Sequence, residues 1–347
     1  MIQYNYNISI IIPVFNGEKY INRCIDTIIN QNYDSMEILI VNDGSTDNTL
    51  EKCNEYAQKF ENIRIINQKN KGVCYSRNVG IKNAQGRYIF FVDADDYLLE
   101  NSFNGIDELL QDDVDIIKFS YIITNKGSKQ KIIFHEKKYN FNVDCKETFF
   151  KEFLENSYEN MVWGQLIKNS LLSNINFEET LFYAEDFLFN YELYSKARTI
   201  MYTEKIIYNY ERNENSVTMN MENKKILRKI DNLVYVFDKL ISEDENLTQK
   251  KCLEVKFLKE TIPKIMMLFF DKKISKKQVI QQYKNILRKT IFVDIFFNIE
   301  NIDLKNYRYK IIYKCMKKKN YNLLYFFSKI YMILTKIKIV IVNYKSK

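Results

Sequence analysis

Short apolar runs and amphipathic segments alternate through the first hundred residues of the chain. Ile8–Val14, Met36–Val41 and Tyr88–Val92 are continuous runs of β-branched and aromatic residues, which is typical of strands buried on both faces. Between them, apolar residues recur at helical spacing, as at Ile21, Cys24, Ile25, Ile28 and Ile29. The pattern predicts an α/β fold: a mostly parallel, Rossmann-like sheet flanked by helices, with right-handed crossovers.

Weaker patterns predict the remaining elements. They indicate strands at Ile63–Ile66, Val114–Phe119 and Lys131–Phe134, helices over 50–60, 73–84 and 147–154 and after Ala184, and a strand pair within Thr199–Tyr210. From about Met221 onwards, Lys-rich amphipathic helices replace the strand signals. We therefore predict an α/β domain over residues 1–218 and a helical C-terminal region over 219–347.

Composition narrows the class of protein. The six cysteines are scattered without a CxxC pair, which is typical of reduced residues in an intracellular protein. The first strand begins within ten residues of Met1, so no signal peptide is expected. No run of roughly 18 uncharged apolar residues marks a transmembrane helix. Together these features predict a cytoplasmic protein, and the absence of any nucleic-acid-binding motif predicts no nucleic-acid partner.

Three carboxylates, Asp93, Asp95 and Asp96, follow the apolar run Tyr88–Val92. They are costly to place together at the end of a buried strand unless a positive group neutralises them. That end of a strand is also where ligands bind in open α/β sheets. Asp93 and Asp95 can face one hard cation and its phosphates, and Mg²⁺ or Mn²⁺ suits such oxygen ligands. The alternative is an acidic turn that caps the next helix.

Polar groups also follow the other predicted strands. Asp43 can accept a hydrogen bond from the imide N–H of uracil, while Pro13 and Phe15 offer apolar surface to the base. The alternative for Asp43 is an Asx turn.

The loop and helix after the third predicted strand carry basic residues. Lys71 and Arg77 can neutralise phosphate oxygens, and Gly72 lets the backbone approach them closely. The alternative for Arg77 is a surface ion pair.

An ordered set of motifs over roughly residues 8–100 resembles the family 2 inverting glycosyltransferases of the GT-A fold, of the bacterial cell-surface polysaccharide type. The motifs are Ile-Ile-Pro-Val-Phe-Asn (11–16), Val-Asn-Asp-Gly-Ser-Thr-Asp (41–47), Ser-Arg-Asn-Val-Gly (76–80) and Phe-Val-Asp-Ala-Asp-Asp (91–96). The resemblance implies a nucleotide-sugar-dependent transferase, usually of UDP-sugars, that requires a divalent metal.

The resemblance also assigns roles to residues. It implies that Asp43 contacts uracil, that Asp93 contacts the ribose and helps to hold the metal, and that Asp95 ligates the metal bridging the diphosphate. Together with the loops above, it predicts a donor site formed by Pro13, Phe15, Asn16, Glu18, Asp43, Lys71, Gly72, Arg77, Asp93 and Ala94. In this scheme, residues 1–100 form the nucleotide-sugar half and residues 101–218 the acceptor half.

A second acidic site is predicted in the acceptor half. Tyr183-Ala-Glu-Asp-Phe-Leu-Phe189 is similar to the family's Glu-Asp-x-x-Phe motif, in which the aspartate is the base. This implies Asp186 as general base and Glu185 as an acceptor-binding neighbour; the alternative is negative charge favoured at a helix N-terminus. Trp163 either stacks on an acceptor sugar or fills the core. Arg212 and Ser216 form either part of a lid or a solvated loop.

Departures from the family and rival classes qualify this hypothesis. The single histidine, His135, precedes the Glu-Asp motif, so no late histidine ligand is expected. The Gln-x-x-Arg-Trp signature of processive members is missing, which favours transfer of one sugar at a time. The rivals are a sugar-nucleotide nucleotidyltransferase, which would want a Gly-rich loop after the first strand, a phosphohydrolase with an Asp-x-Asp pair after its first strand, and an inactive GT-A-like binding subunit.

The segment 321–342 is strongly apolar but interrupted by Lys329, Lys336 and Lys338. This composition suits an interfacial helix on an anionic membrane surface, which would place the protein peripherally on the inner face of the cytoplasmic membrane. The alternative is a helix packed on the catalytic domain or on a second copy in a homo-oligomer. The expected partners are a nucleotide-sugar donor and a saccharide or lipid-linked acceptor.

Overall fold

The computed structural model describes residues 4–156, 160–212, 222–268, 274–298, 304 and 306–330. The chain divides into two compact units, one of Met1–Lys146 and Tyr158–Ser216 and the other of Glu147–Ser157 and Val217–Lys347. No sequence pattern indicated that the short stretch 147–157 groups with the C-terminal residues. The functional division at residue 218 stays a prediction.

Strands and helices alternate through the first part of the chain. They are β1 (Tyr6–Val14), α1 (Ile21–Ile29), β2 (Met36–Asn42), α2 (Thr49–Lys59), β3 (Ile63–Asn67), α3 (Val73–Asn83) and β4 (Gly86–Phe91). The later elements are β5 (Tyr97–Leu98), α4 (Ile106–Gln111), β6 (Ile116–Asn125), β7 (Ser128–Ile132), β8 (Lys137–Asn140), α5 (Lys146–Glu155), β9 (Gln165–Lys168), α6 (Glu185–Lys196) and β10 (Thr199–Glu211).

Within the described residues, ten strands form one sheet in the order β3-β2-β1-β4-β9-β6-β10-β5, with β7 paired to β6 and β8 to β10. β1 to β4 are mutually parallel, and β9 runs antiparallel between β4 and β6. The predicted strand pair within Thr199–Tyr210 is wrong. This stretch is a single strand whose register against β6 shifts twice, between Thr203 and Tyr208, and the shifts break the alternation of a regular strand.

The two faces of β1 are covered by different helices. Ile8, Ile10 and Ile12 pack with residues of α1 in the main apolar cluster. On the other face, α3 approaches so closely that a Cβ on Gly80 would lie 2.4 Å from Cγ2 of Ile11. Glycine is therefore required at this contact, which sets α3 against the centre of the sheet.

The second unit is helical. Besides most of α5 it contains α7 (Asn223–Glu243), α8 (Leu247–Met267), α9 (Lys276–Ile286), α10 (Thr290–Asn298), α11 (Tyr307–Lys317) and helical residues 321–330, here called α12. Among the helices that the structure describes, none combines the length and the apolar character needed to cross a membrane. The predicted fold class, an α/β sheet domain with a helical C-terminal extension, is confirmed.

Candidate active site

The carboxyl ends of the parallel strands β1 to β4 meet at one edge of the sheet, and the predicted donor residues lie in the loops at this edge. Asn16 joins the first loop to the second. Its backbone N–H donates to Oγ of Ser45 (2.9 Å), and its Oδ1 accepts from the backbone N–H of Thr46 (2.8 Å). Asn16 has a φ of +50°, which asparagine tolerates better than most residues. The residue therefore shapes the loop.

Glu18 extends this link. Its carboxylate accepts hydrogen bonds from the side chain (3.0 Å) and the backbone N–H of Asn48, and these bonds lower the pKa of Glu18. Phe15, by contrast, exposes half of its surface (51%) beside the buried Pro13. Of the residues predicted to line a nucleoside pocket, Phe15 thus offers ring surface, while Glu18 holds the loops together.

Asp43 organises the loop after β3. Its Oδ1 accepts from Nε2 of Gln68 (2.8 Å) and the backbone N–H of Lys71 (2.9 Å), and its Oδ2 accepts from the backbone N–H of Gly72 (2.8 Å). The Asx-turn alternative is wrong, because these donors lie 25 to 29 residues away along the chain. A carboxylate has about four acceptor sites. Three serve the loop among the described residues and one on Oδ2 is left, on a residue that is 3% exposed.

Lys71 and Gly72 hold different positions in this loop. Gly72 has a φ of +94°, a left-handed conformation that glycine adopts without strain. The Lys71 side chain is exposed, with Nζ 4.1 Å from the centroid of the Tyr75 ring. Both residues lie in the loop between β3 and α3, at the predicted donor edge of the sheet.

The acidic triplet after β4 splits into two parts. Asp96 is fully buried; its Oδ2 accepts from the hydroxyl of Tyr208 (2.7 Å) and its Oδ1 from the backbone N–H of Glu211 (2.8 Å). Burial, reinforced by the charges of Asp93 and Asp95, raises the pKa of Asp96 well above its usual range. Asp93 and Asp95 stay partly exposed. Asp96 thus holds the loop in place, whereas Asp93 and Asp95 stay accessible and are here called the rim of the site.

Two residues that hold this loop, Tyr208 and Arg23, were not predicted from the sequence. The hydroxyl of Tyr208 also accepts the backbone N–H of Asp93 (3.1 Å), so one hydroxyl fixes both ends of the turn. Nη2 of Arg23 donates to the carbonyl of Asp95 (2.7 Å), and Arg23 also pairs with Glu211. Tyr208 lies 115 residues from Asp93 and Arg23 lies 72 residues from Asp95 along the chain, so the sequence offers no signal for these contacts.

Arg77 lies at the centre of the site. It is 4% exposed; Nη1 donates to Oδ1 of Asp186 (2.7 Å) and Nη2 to Oδ1 of Asp93 (3.0 Å). Its Nε is buried without a hydrogen-bond partner among the described residues. The alternative of a surface ion pair is wrong, because the guanidinium is a buried bridge. It joins the predicted metal-binding loop to the predicted base.

Asn78, the residue after Arg77, helps to place Asp186 beside the guanidinium. The Nδ2 of Asn78 donates a hydrogen bond to the carbonyl of Phe177 (2.9 Å), and its Oδ1 accepts one from the backbone N–H of Phe177 (2.8 Å). The Phe177 ring in turn stacks on Phe189 of α6, with the centroids 3.9 Å apart. These contacts dock the first turn of α6, which carries Glu185 and Asp186, against α3.

Asp186 titrates in an unusual range. Its side chain is 27% exposed, yet the surrounding protein removes enough water to raise its pKa to about 7. Arg77 opposes this shift, and the negative charges of Glu185 and Asp93 add to it. Glu185, the predicted acceptor-binding neighbour, is partly exposed beside it. A carboxyl that titrates near neutral pH is suited to act as a general base.

Trp163 lies in the core. It is 5% exposed and stacks on Tyr208, with centroids 4.5 Å apart, and on Tyr210, at 5.4 Å. This packing leaves little indole surface for a sugar, so the predicted acceptor contact gives way to the core alternative. Trp163 instead supports Tyr208, and thereby the acidic loop.

The remaining predicted features lie at the edges of the site or away from it. The backbone N–H of Arg212 donates to the carbonyl of Thr124 (2.8 Å), whereas Ser216 lies outside the described residues. The imidazole of His135 is exposed and lies 3.5 Å from Glu204. The lid predicted to include Arg212 and Ser216 therefore stays a prediction.

The chemistry of the rim fits a divalent cation. In the part of the chain that the structure describes, no group of three or more His, Cys, Asp or Glu side chains is placed to hold a metal. Asp93, Ala94 and Asp95 nevertheless place two partly exposed carboxylates one residue apart on a loop fixed by Tyr208. Mg²⁺ sites of this type use one or two carboxylates and complete the coordination with substrate phosphates and water.

Residues 9–178 match the family model described as glycosyl transferase family 2. The chain is 33% identical over 218 residues to the uncharacterized glycosyltransferase EpsJ of Bacillus subtilis, covering 61% of this chain and 62% of EpsJ. It is 32% identical over 200 residues to the minor teichoic acid biosynthesis protein GgaB of the same organism, covering 53% of this chain and 20% of GgaB. The matches thus span less than two thirds of the length of these relatives.

Solved structures share the fold. S. aureus TarS 1–349 in complex with UDP-GlcNAc superposes with a TM-score of 0.69 at 18% identity, covering 94% of this chain and 91% of that one. The mannosyltransferase PcManGT of Pyrobaculum calidifontis, solved with GDP-Man and Mn²⁺, gives a TM-score of 0.51 at 14% identity, covering 84% and 83%. Family model, relatives and fold agree with the motifs. Over residues 9–178, the chain thus matches glycosyltransferase family 2.

Proposed function

We propose that this chain transfers one sugar from a UDP-sugar to a saccharide or lipid-linked acceptor, with inversion at the anomeric carbon, in the assembly of a cell-surface polysaccharide or oligosaccharide. The observation that carries the proposal is the Arg77 bridge, which places the donor-side carboxylate of Asp93 and the acceptor-side carboxylate of Asp186 on one guanidinium. TarS, solved with UDP-GlcNAc, and GgaB, named for teichoic acid biosynthesis, support the substrate class.

The proposed reaction is a direct displacement with Asp186 as the general base. The acceptor hydroxyl oxygen forms a bond to the anomeric carbon while the bond from that carbon to the diphosphate oxygen breaks. The hydroxyl proton passes to the carboxylate of Asp186, and the nucleoside diphosphate leaves. With a pKa of about 7, Asp186 is largely deprotonated in slightly alkaline solution and still basic enough to accept the proton.

The donor end is assigned from the loops. The remaining acceptor site on Oδ2 of Asp43 would receive the imide N–H of uracil, and the exposed Phe15 ring would pack against the base. Asp95, with Asp93, would hold a divalent cation, Mn²⁺ or Mg²⁺. When bound, that cation would stabilise the negative charge on the departing diphosphate. The guanidinium of Arg77 lies between Asp93 and Asp186, offsets the repulsion between their negative charges and fixes both carboxylates in position.

The test is titration calorimetry of the full chain with UDP, GDP, CDP and ATP, each with and without Mn²⁺. We expect metal-dependent binding of UDP, abolished by Asp95→Asn and unchanged by Glu100→Gln, an exposed carboxylate a few residues further on. Equal binding with and without metal, or a preference for another nucleotide, would overturn the assignment of the donor site. Release of UDP from a UDP-sugar in the presence of candidate acceptors then tests transfer.

A further inference from the structure

The helix α12 has an apolar face that points away from its own unit. Leu324 and Ser328 are buried, whereas Leu323, Phe326 and Ile330 are exposed, Phe326 over 53% of its surface. Their spacing of three, four and seven residues places these three side chains on one side of the helix. A contiguous apolar stripe on a protein surface is typical of a site that binds a protein or a membrane.

Contacts on the other side hold the helix in place. Nζ of Lys276 lies 5.4 Å from the ring centroid of Tyr325, and Nζ of Lys284 lies 5.7 Å from that of Tyr321. Both lysines belong to α9, and with the burial of Leu324 they attach α12 to the unit. The exposed stripe is therefore the outer face of a docked helix.

The surroundings of the stripe are strongly basic. Tyr307, Lys314 and Lys318 recur at i, i+7 and i+11 on α11 and its end, so they share one exposed face. The stretch 306–330 contains no Asp or Glu, and its basic residues are Arg308, Lys310, Lys314, Lys317, Lys318, Lys319 and Lys329. All charged residues of α11, α12 and the turn between them are therefore cationic.

A cavity of about 190 Å³ adds apolar surface between α11 and α12. Tyr307, Phe327, Ile330 and Met266 contribute to its wall, and Arg308 is the one cationic side chain on it among the described lining residues. An apolar slot with a cationic group is suited to a hydrocarbon chain that carries a phosphate.

We propose that this surface, formed by α11 and α12 and here called the basic apolar face, binds an anionic phospholipid bilayer at its interface. Leu323, Phe326 and Ile330 insert among the acyl chains, and the exposed Lys314 and Lys318 pair with lipid phosphates. The proposal goes beyond the transfer reaction and does not depend on it. Residues 331–342, included in the predicted membrane segment, lie outside the described residues and carry none of the argument.

Charge selects the bilayer over other partners. In a symmetric contact with a second copy, the same patch meets itself, so the lysines of both copies would face each other. A nucleic acid would satisfy the lysines but leave Leu323 and Ile330 of the apolar stripe in water. An anionic bilayer satisfies both parts of the surface at once.

The experiment is flotation of the full chain with vesicles of phosphatidylcholine alone, or with about a third phosphatidylglycerol, at low and high salt. We expect binding to the anionic vesicles that weakens with salt. Lys314→Glu with Lys318→Glu should weaken it at least about 25-fold, because each lysine near an anionic surface contributes about fivefold. Leu323→Ser with Phe326→Ser should weaken binding on anionic vesicles by tenfold or more, since about two buried apolar side chains are lost.

Matched controls come from α8, where Leu247 and Lys251 are also exposed. Leu247→Ser with Lys251→Glu should bind vesicles like the wild type, and thermal melting should show that every variant is folded. Equal flotation of wild type and face variants, or no flotation of the wild type, would overturn the proposal. The proposal would also be overturned if the face variants changed the oligomeric state, measured by light scattering, or the retention of a DNA duplex, while their flotation stayed like that of the wild type. UDP binding measured on the same samples reports separately on the proposed function.

Discussion

Replacing Arg77 should change the protonation of the proposed base. In Arg77→Met the positive charge beside Asp186 is lost, while Glu185 and Asp93, which raise the pKa of Asp186, remain. Nη1 lies 2.7 Å from Oδ1 of Asp186, so the charge centres are roughly 4 Å apart. At an effective dielectric constant of about 20 this attraction is about 4 kcal/mol, equivalent to at most about 3 pKa units.

The expected direction is upward. The wild-type pKa of Asp186 is about 7, and loss of the arginine should raise it by about 1 to 3 units. A base must be deprotonated to accept a proton, so UDP-sugar hydrolysis should rise with pH through about 7 in the wild type and through a more alkaline pH in Arg77→Met. The pKa itself is measured by carbon-13 NMR of labelled aspartate carboxyls, with the signal assigned by its loss in Asp186→Asn.

A matched variant separates charge from shape. Arg77→Lys keeps one positive charge, although an ammonium cannot donate to Asp93 and Asp186 in the fixed fork of a guanidinium. It should therefore hold the pKa of Asp186 closer to the wild-type value than Arg77→Met does. An unchanged or lowered pKa in Arg77→Met, or equal shifts in both variants, would refute the assignment of Arg77 as the counter-charge.

Three further substitutions test the division of roles. Asp186→Asn should leave UDP binding nearly intact and lower transfer by about 10²- to 10⁴-fold, the usual contribution of a general base; equal loss of UDP affinity would contradict this role. Tyr208→Phe leaves the buried Asp96 short of a donor and should cost about 1–3 kcal/mol in chemical denaturation and weaken metal-dependent UDP binding. Tyr210→Phe, a nearby tyrosine without this bond, is its control, and similar effects of the two would remove the special role of Tyr208. Asp43→Asn places an amide N–H₂ against a backbone N–H donor and should abolish UDP binding; retained affinity would show that Asp43 lies outside the donor site.

Much of the fold followed from local patterns. The buried runs predicted β1, β2 and β4, because a strand covered on both faces must be apolar throughout. The partly exposed β3 was predicted from a weaker pattern. β5, β8 and β9 were missed: β5 spans Tyr97–Leu98 alone, and the other two are four residues long, too short to show a period. β10 was misassigned because its register shifts interrupt the alternation that sequence analysis relies on.

The sequence by itself determined the resemblance to the family, the α/β class and the edge of the sheet where the acidic and basic loops gather. These depend on contiguous motifs and on the rule that parallel strands share a carboxyl edge. Tertiary structure alone decided what each charge does. Arg77 and Asp186 are 109 residues apart, and Asp96 and Tyr208 are 112 apart. Whether a carboxylate is paired, buried or at the rim depends on which elements dock beside it, and burial and neighbouring charges then set its pKa.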